Sequence, residues 1–237
     1  MATKEDMLAR IRRALGRAEG NAPEPLPAYV DACSPARDGD LVELFCKQSR
    51  ALGAQVARVR SADEIKEYIA GLAAEGEQTK LALSDGELTR WSGLGEYFSA
   101  QGIDVLHTLG EYAEGRGHAG DLMESYKREL VKVNIGVTSA DYAIAETGTL
   151  VLVSGGEQHR LISLVPPVHV CLLEETRIIE SLPVFLALAG QKYYSTESAP
   201  LATTFITGPS RTADIELSLT LGVHGPRELH TLLIGSR

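Results

Sequence analysis

Glu146 is the most chemically loaded residue in the stretch Gly136–Leu150. Around it stand Ala143, Ile144, Ala145, Gly148 and Leu150. A carboxylate in such company is expected to lose hydration, which raises its pKa unless hydrogen bonds to the charged form offset the loss. Gly148 permits a positive φ or a close backbone approach. A Glu of this kind beside a glycine turn suits a general base or a covalent nucleophile. It suits equally a side chain that accepts backbone N–H bonds and holds the turn, and composition alone favours that plainer role.

A second stretch, Thr207–Glu216, follows an apolar run and contains Gly208, Ser210, Arg211 and Thr212. A strand, a glycine turn and a Ser/Thr at a helix start together cradle anions with backbone N–H groups. Arg211 would add a bidentate contact. The alternative is a simple helix cap, with Arg211 paired to Asp214 or Glu216. A third stretch, Gly222–His230, is a sharp turn that displays His224 and Arg227. From 139 to 237 the chain carries six Lys/Arg, five of them Arg. Arginine is the better residue for fixed recognition of carboxylate or phosphate. A small anionic ligand held by Gly208, Ser210, Arg211, Thr212, His224 and Arg227, beside Glu146, Thr147 and Gly148, is the resulting expectation.

These loops need elements to hold them. An amphipathic helix is expected near 4–17, with Met7, Leu8, Ile11 and Leu15 as its apolar stripe. A Pro-rich linker over 19–36 follows, and one α/β domain over 37–237. Helices are expected over Leu41–Leu52, Glu64–Ala74, Trp91–Gln101, Leu122–Val131, Leu182–Leu188 and Thr212–Leu221. Strands are expected over Gln55–Val59, Lys80–Leu83, Ile103–Leu106, Val133–Val137, Thr149–Val153, Val168–Leu173, Thr203–Thr207 and Leu229–Ile234. Short strands alternating with longer helices indicate βαβ units and one parallel or mixed sheet flanked by helices.

The chain has 237 residues, a net charge of −9, 44% hydrophobic and 23% charged residues. That is an ordinary globular composition, and the acidity argues against a nucleic-acid partner. Cys33, Cys46 and Cys171 form no CxxC pair, so no metal site or iron–sulfur cluster is expected in this chain. The N-terminus lacks an apolar core and no apolar run reaches membrane-spanning length, so a cytoplasmic protein is expected.

The segments ADYAIAETGTLVL (Ala140–Leu152), ITGPSRTADIE (Ile206–Glu216) and GVHGPRELH (Gly222–His230) resemble the lactate-utilization domain family. The resemblance covers nearly the whole chain. It implies a fold shared with sugar-phosphate isomerases, glucosamine-phosphate deaminases and coenzyme A transferases. It implies a subunit that acts with iron–sulfur partner proteins to oxidise L-lactate to pyruvate, with the clusters in the partners. In coenzyme A transferases of similar fold the nucleophile is a Glu before a small residue and a Gly. Glu146-Thr147-Gly148 is similar, with Thr in place of the usual Asn. A stand-alone isomerase, hydrolase or acyl-transfer enzyme using Glu146, and a metabolite-sensing module without a nucleophile, are the other readings.

Overall fold

A computed structural model describes residues 4–14, 40–74, 79–108, 119–154, 160–193, 202–213 and 219–235. The first helix, α1, spans Lys4–Ala14. The expected linker over 19–36 lies outside the described residues. The α/β part begins at α2 (Leu41–Ala51), where the Asp40 side chain accepts from the amides of Val42 and Glu43. Such a cap satisfies helix donors that have no intrahelical partner.

Then follow β1 (Gln55–Val59), α3 (Ala62–Ala74), β2 (Lys80–Leu83), α4 (Glu87–Trp91), α5 (Leu94–Ala100), β3 (Asp104–Leu106) and α6 (Ala119–Leu130). The second half contributes β4 (Ile135–Ser139), β5 (Tyr142–Ile144), β6 (Thr149–Ser154), β7 (Val168–Glu174), β8 (Ile178–Ile179) and α7 (Leu182–Lys192). It closes with β9 (Ala202–Ile206), β10 (Arg211–Ala213), β11 (Leu219–Leu221) and β12 (Glu228–Ile234).

Six strands form a parallel sheet in the order β1-β12-β7-β4-β2-β3. Its central strands are near-continuous apolar runs, as a sheet covered on both faces requires. On one face α3, α4 and α5 bring Ile65, Ile69, Leu88, Leu94 and Phe98 against Leu81, Leu83, Val137, Val170 and Leu232. The alternate residues of the same strands point the other way. There Cys171, Leu173, Leu229 and Leu233 meet Phe45 and Cys46 of α2 and Ala143, Leu150 and Leu152 of a second sheet. That second sheet has the order β8-β5-β6-β9.

The architecture is α/β, and it departs from the sequence expectation in three places. First, the expected single sheet is divided, with the four-stranded sheet and the two-stranded pair β10-β11 separate from the parallel one; β5 and β8 have only three and two residues and leave no periodic signal. Second, Trp91–Gln101 is not one helix but the end of α4 and α5, broken at Ser92–Gly93. Third, the expected helix over Thr212–Leu221 does not form: Arg211–Ala213 and Leu219–Leu221 pair as antiparallel strands. Ile215, Leu217, Leu219 and Leu221 alternate with Glu216, Ser218 and Thr220, a strand period.

Gly136 on β4 carries the backbone of the Arg160–Ser163 turn directly upon it. A Cβ at 136 would collide with the Ile162 carbonyl and approach Pro166 Cγ to 2.9 Å. Gly136→Ala should therefore lower stability by about 1–3 kcal/mol through overpacking. Gly71→Ala, in α3 with nothing within 4 Å, should raise it by about 0.5–1 kcal/mol. Urea unfolding of the two variants checks both signs.

Candidate functional site

The three chemically loaded loops meet in space. The turn 145–148 joins β5 to β6, and β9 leads out of the same end of the second sheet into Thr207. A hydroxyl chain ties them: Thr147 Oγ1 to Thr149 Oγ1 at 2.7 Å, and Thr149 Oγ1 to Thr207 Oγ1 at 2.8 Å. The amides of Ala145 and Glu146 donate to the carbonyls of Ile179 and Glu180, at 2.8 and 3.0 Å. The other two loops are laced by backbone bonds. Ser210 N donates to Pro226 O at 2.8 Å, and Gly222 N donates to Ser210 O at 3.0 Å. Arg227 N donates to Pro167 O at 2.9 Å, fixing this loop to the amino end of β7.

Helix α2 braces the cluster from behind. Gly148 has φ +63°, and a Cβ there would stand 2.5 Å from Ser49 N and 2.8 Å from the Gln48 carbonyl carbon. The helix backbone thus rests on the turn with no room for a side chain. Gly208 lies against Leu52. The Arg211 guanidinium donates to the Leu52 carbonyl, at the carboxyl end of α2. A cation there satisfies an orphan carbonyl and complements the helix dipole.

A cleft of about 300 Å³ opens beside this junction, at the amino ends of β7 and β12. Gly208, Ser210, Arg211 and His224 line it, together with Ser163 and His169. So the structure brings together four of the residues expected to hold an anion. Glu146, Thr147 and Gly148 occupy the neighbouring turn and do not line the cleft. Arg227 is exposed outside it, and Thr212 sits on β10.

Two expectations about chemistry change. No helix follows Ser210, so the strand–turn–helix cradle for an anion is replaced by the Ser210–Pro226 stitching and the Arg211–Leu52 contact. Glu146 is exposed, not desolvated. The desolvated carboxyl of this motif is Asp141, whose Oδ2 accepts from Val153 N at 2.7 Å. Burial pushes the Asp141 pKa up, and the Val153 amide opposes that push.

His169 is a cleft-side residue that the sequence pattern does not single out. It is wholly buried, with Nε2 2.8 Å from Thr138 Oγ1 and no partner for Nδ1. Burial first, then the neighbouring His230, pulls its pKa down to about 3. The imidazole is neutral and stands behind the wall of the cleft, closed off from solvent. Its sequence signal was parity: in Val168–Glu174, His169 shares the inward face with Cys171 and Leu173. Cys171 is equally enclosed, and its thiol is pushed up to about 12 by burial, which makes it unreactive.

Among the described residues no group of His, Cys, Asp and Glu has the arrangement to hold a metal ion. No helix among them is long and apolar enough to cross a membrane.

The LUD domain family model matches residues 42–234. The chain belongs to the LUD domain family. It is similar to a protein named Lactate utilization protein C from Halalkalibacterium halodurans, 26% identical over 94% of both chains. Another protein of that name, from Bacillus subtilis, is 31% identical over 49% of each chain. The solved structure of a DUF162 family protein from Deinococcus radiodurans matches with a TM-score of 0.55 at 22% identity, covering 89% of this chain and all of that one. That likeness concerns the fold of this LUD domain.

The buried His169 makes an acid-side prediction. A histidine whose folded pKa lies below its unfolded value costs nothing above about pH 6.5, where both states are neutral. As pH falls from there towards 3 the unfolded chain takes up a proton that the folded chain refuses. Stability should fall by up to about 1.4 kcal/mol per pH unit from this group alone. His169→Gln should flatten that limb. Urea midpoints measured from pH 7 to pH 4 in both proteins read the difference directly.

Proposed function

We propose that this chain is the non-redox subunit of an L-lactate-oxidising system, working in the cytoplasm with iron–sulfur partner proteins that accept the electrons released as L-lactate becomes pyruvate. The observation that carries the reading is membership of the LUD domain family over 42–234, joined to end-to-end similarity with a relative named Lactate utilization protein C. In this reading the chain itself holds no redox cofactor, and the clusters belong to the partners. The net charge of −9 speaks against a nucleic-acid partner.

The loop cleft is the place for a small anionic ligand. Arg211 supplies charge at its rim, Ser210 and His224 supply hydrogen bonds, and Gly208 lets the backbone approach. His169 closes the floor as a neutral imidazole. Thr147 and Gly148 shape the adjoining turn, Thr212 extends the second loop, and Arg227 stands outside as a further cation for an approaching partner or ligand. The kinship in fold with coenzyme A transferases belongs to the same proposal. It would make Glu146 the nucleophile's counterpart, but an exposed Glu146 favours a ligand-holding subunit over a stand-alone transferase.

A strain deleted for this chain and grown on L-lactate as sole carbon source tests the reading. The deletion should stop growth on lactate and leave growth on pyruvate intact. Wild type and Glu146→Gln, at matched protein levels, should both restore it. Restoration by wild type alone would give Glu146 a role in the chemistry. Normal growth of the deletion strain on lactate would count against the assignment.

A further inference from the structure

The loop cleft runs along the open edge of the second sheet. In the order β8-β5-β6-β9 the last strand is hydrogen-bonded on one side, to β6. All six residues of β6 are buried, and none of the five in β9 is. One wall of the cleft is the unbroken run Thr204–Arg211, the end of β9 and its exit turn. Successive side chains of a strand point to opposite faces, so a cleft on one face would touch alternate residues. This one touches Thr204, Phe205, Ile206 and Thr207 alike, which places it along the strand's edge. Such an edge presents a row of backbone amides and carbonyls. Those of residues 204–207 make no backbone bond to other described residues outside the ladder with β6.

The charge in the cleft stands where β9 ends. Arg211 and His224 line it and are exposed, and no Asp or Glu is in the lining. The Arg211 guanidinium gives one N–H to the Leu52 carbonyl and keeps further donors for an anion. Glu228, the carboxylate next to the lining in sequence, stands 3.4 Å from His230 Nε2. Leu164, Phe205, Ile206 and Pro226 make the rest of the wall apolar. The cleft thus offers a strand edge, an apolar wall and a cationic end, in that order along β9.

We infer that the cleft receives the carboxyl-terminal tail of a partner protein, added as a strand along β9 with its terminal carboxylate at Arg211 and His224. The chemistry that matches a row of backbone donors and acceptors is another main chain. The cationic end is matched by the terminal carboxylate, and the apolar wall by aliphatic side chains. A tail that runs parallel to β9 ends where β9 ends, beside the turn at Gly208 and Ser210. The edge from Thr204 to Gly208 is about 13 Å long at a strand's rise of about 3.3 Å per residue, enough for the last few residues of a tail. The inference deepens the reading of the cleft as an anion site and rests on it: the anion is a chain terminus.

Calorimetric titration of the purified full chain with the peptide N-acetyl-Thr-Val-Thr-Val-Leu tests the site. The peptide is used as the free acid, as the carboxyl-terminal amide, and as the free acid with alternate backbone nitrogens methylated. The free acid should bind saturably. The amide lacks the charge and the methylated peptide lacks backbone donors, so each should bind about tenfold or more weakly. Arg211→Met should weaken binding of the free acid by about tenfold and leave the affinity of the amide unchanged. The three peptides on the wild type decide the matter even where that variant fails to fold. Amide shifts along Thr204–Ser210 in a nuclear magnetic resonance titration support the site, and shifts centred on Ser84 and His107 overturn it. An amide or a methylated peptide that binds as tightly as the free acid also overturns it. If the peptide fails to bind while acetate binds saturably at Ser210 and Arg211, the tail is overturned and the anion site stands. If neither binds, both are overturned, and the growth assay bears separately on the lactate role.

Discussion

The last turn of α2 sits directly on the loops, backbone against backbone, and the arrangement of the amino-end cleft depends on it. Gly148 has no side chain because Gln48 and Ser49 occupy its place. Arg211 reaches back to the carbonyl of Leu52 and terminates the helix. Between these contacts the hydroxyls of Thr147, Thr149 and Thr207 form a chain that registers β6 against β9 at their shared end. One helix end thereby sets the spacing of two loops, and the Ser210–Pro226 bond carries that spacing to the third. Close packing of this kind is stiff, because no flexible side chain lies in the contact.

The two ends of the parallel sheet are finished in different ways. At the amino ends of β7 and β12, loop amides and hydroxyls are spent on one another, while His169 Nδ1, buried behind the cleft, has no partner. At the carboxyl ends of β2 and β3 a smaller cavity opens beside the Asp85–Arg90 ion pair. The neutral His169 and the enclosed Cys171 share the inner face of β7, so that face of the strand carries no titrating charge near neutral pH.

Much of the scaffold was legible from short-range pattern. Gln55–Val59 and Lys80–Leu83 stand where their apolar runs place them, and Leu41–Ala51 where its amphipathic stripe does. The pairs that failed were those whose signal was not local. Tyr142–Ile144 and Ile178–Ile179 are too short for a period, and only their pairing with each other and with β6 makes them strands. The alternation after Arg211 was read with the wrong period. At the site, the three loops were visible as glycine-rich interruptions with Ser, Arg and His, and they do cluster. Which carboxyl loses its water was not visible, because it depends on side-chain direction: Asp141 turns inward to Val153, and Glu146 turns out on an exposed corner. His169 was hidden for a similar reason, since burial and the Thr138 partner come from a strand thirty-one residues away in sequence.

Native-state amide exchange of a Gly148→Ala variant tests most directly whether the helix end governs the loops as one unit. The account predicts that the amides of Ala145 and Glu146 lose protection together with those of Ser210 and Gly222, while the amides of β7 and β12 keep theirs. Loss confined to residues 145–148, with Ser210 and Gly222 protected as in the wild type, would contradict it.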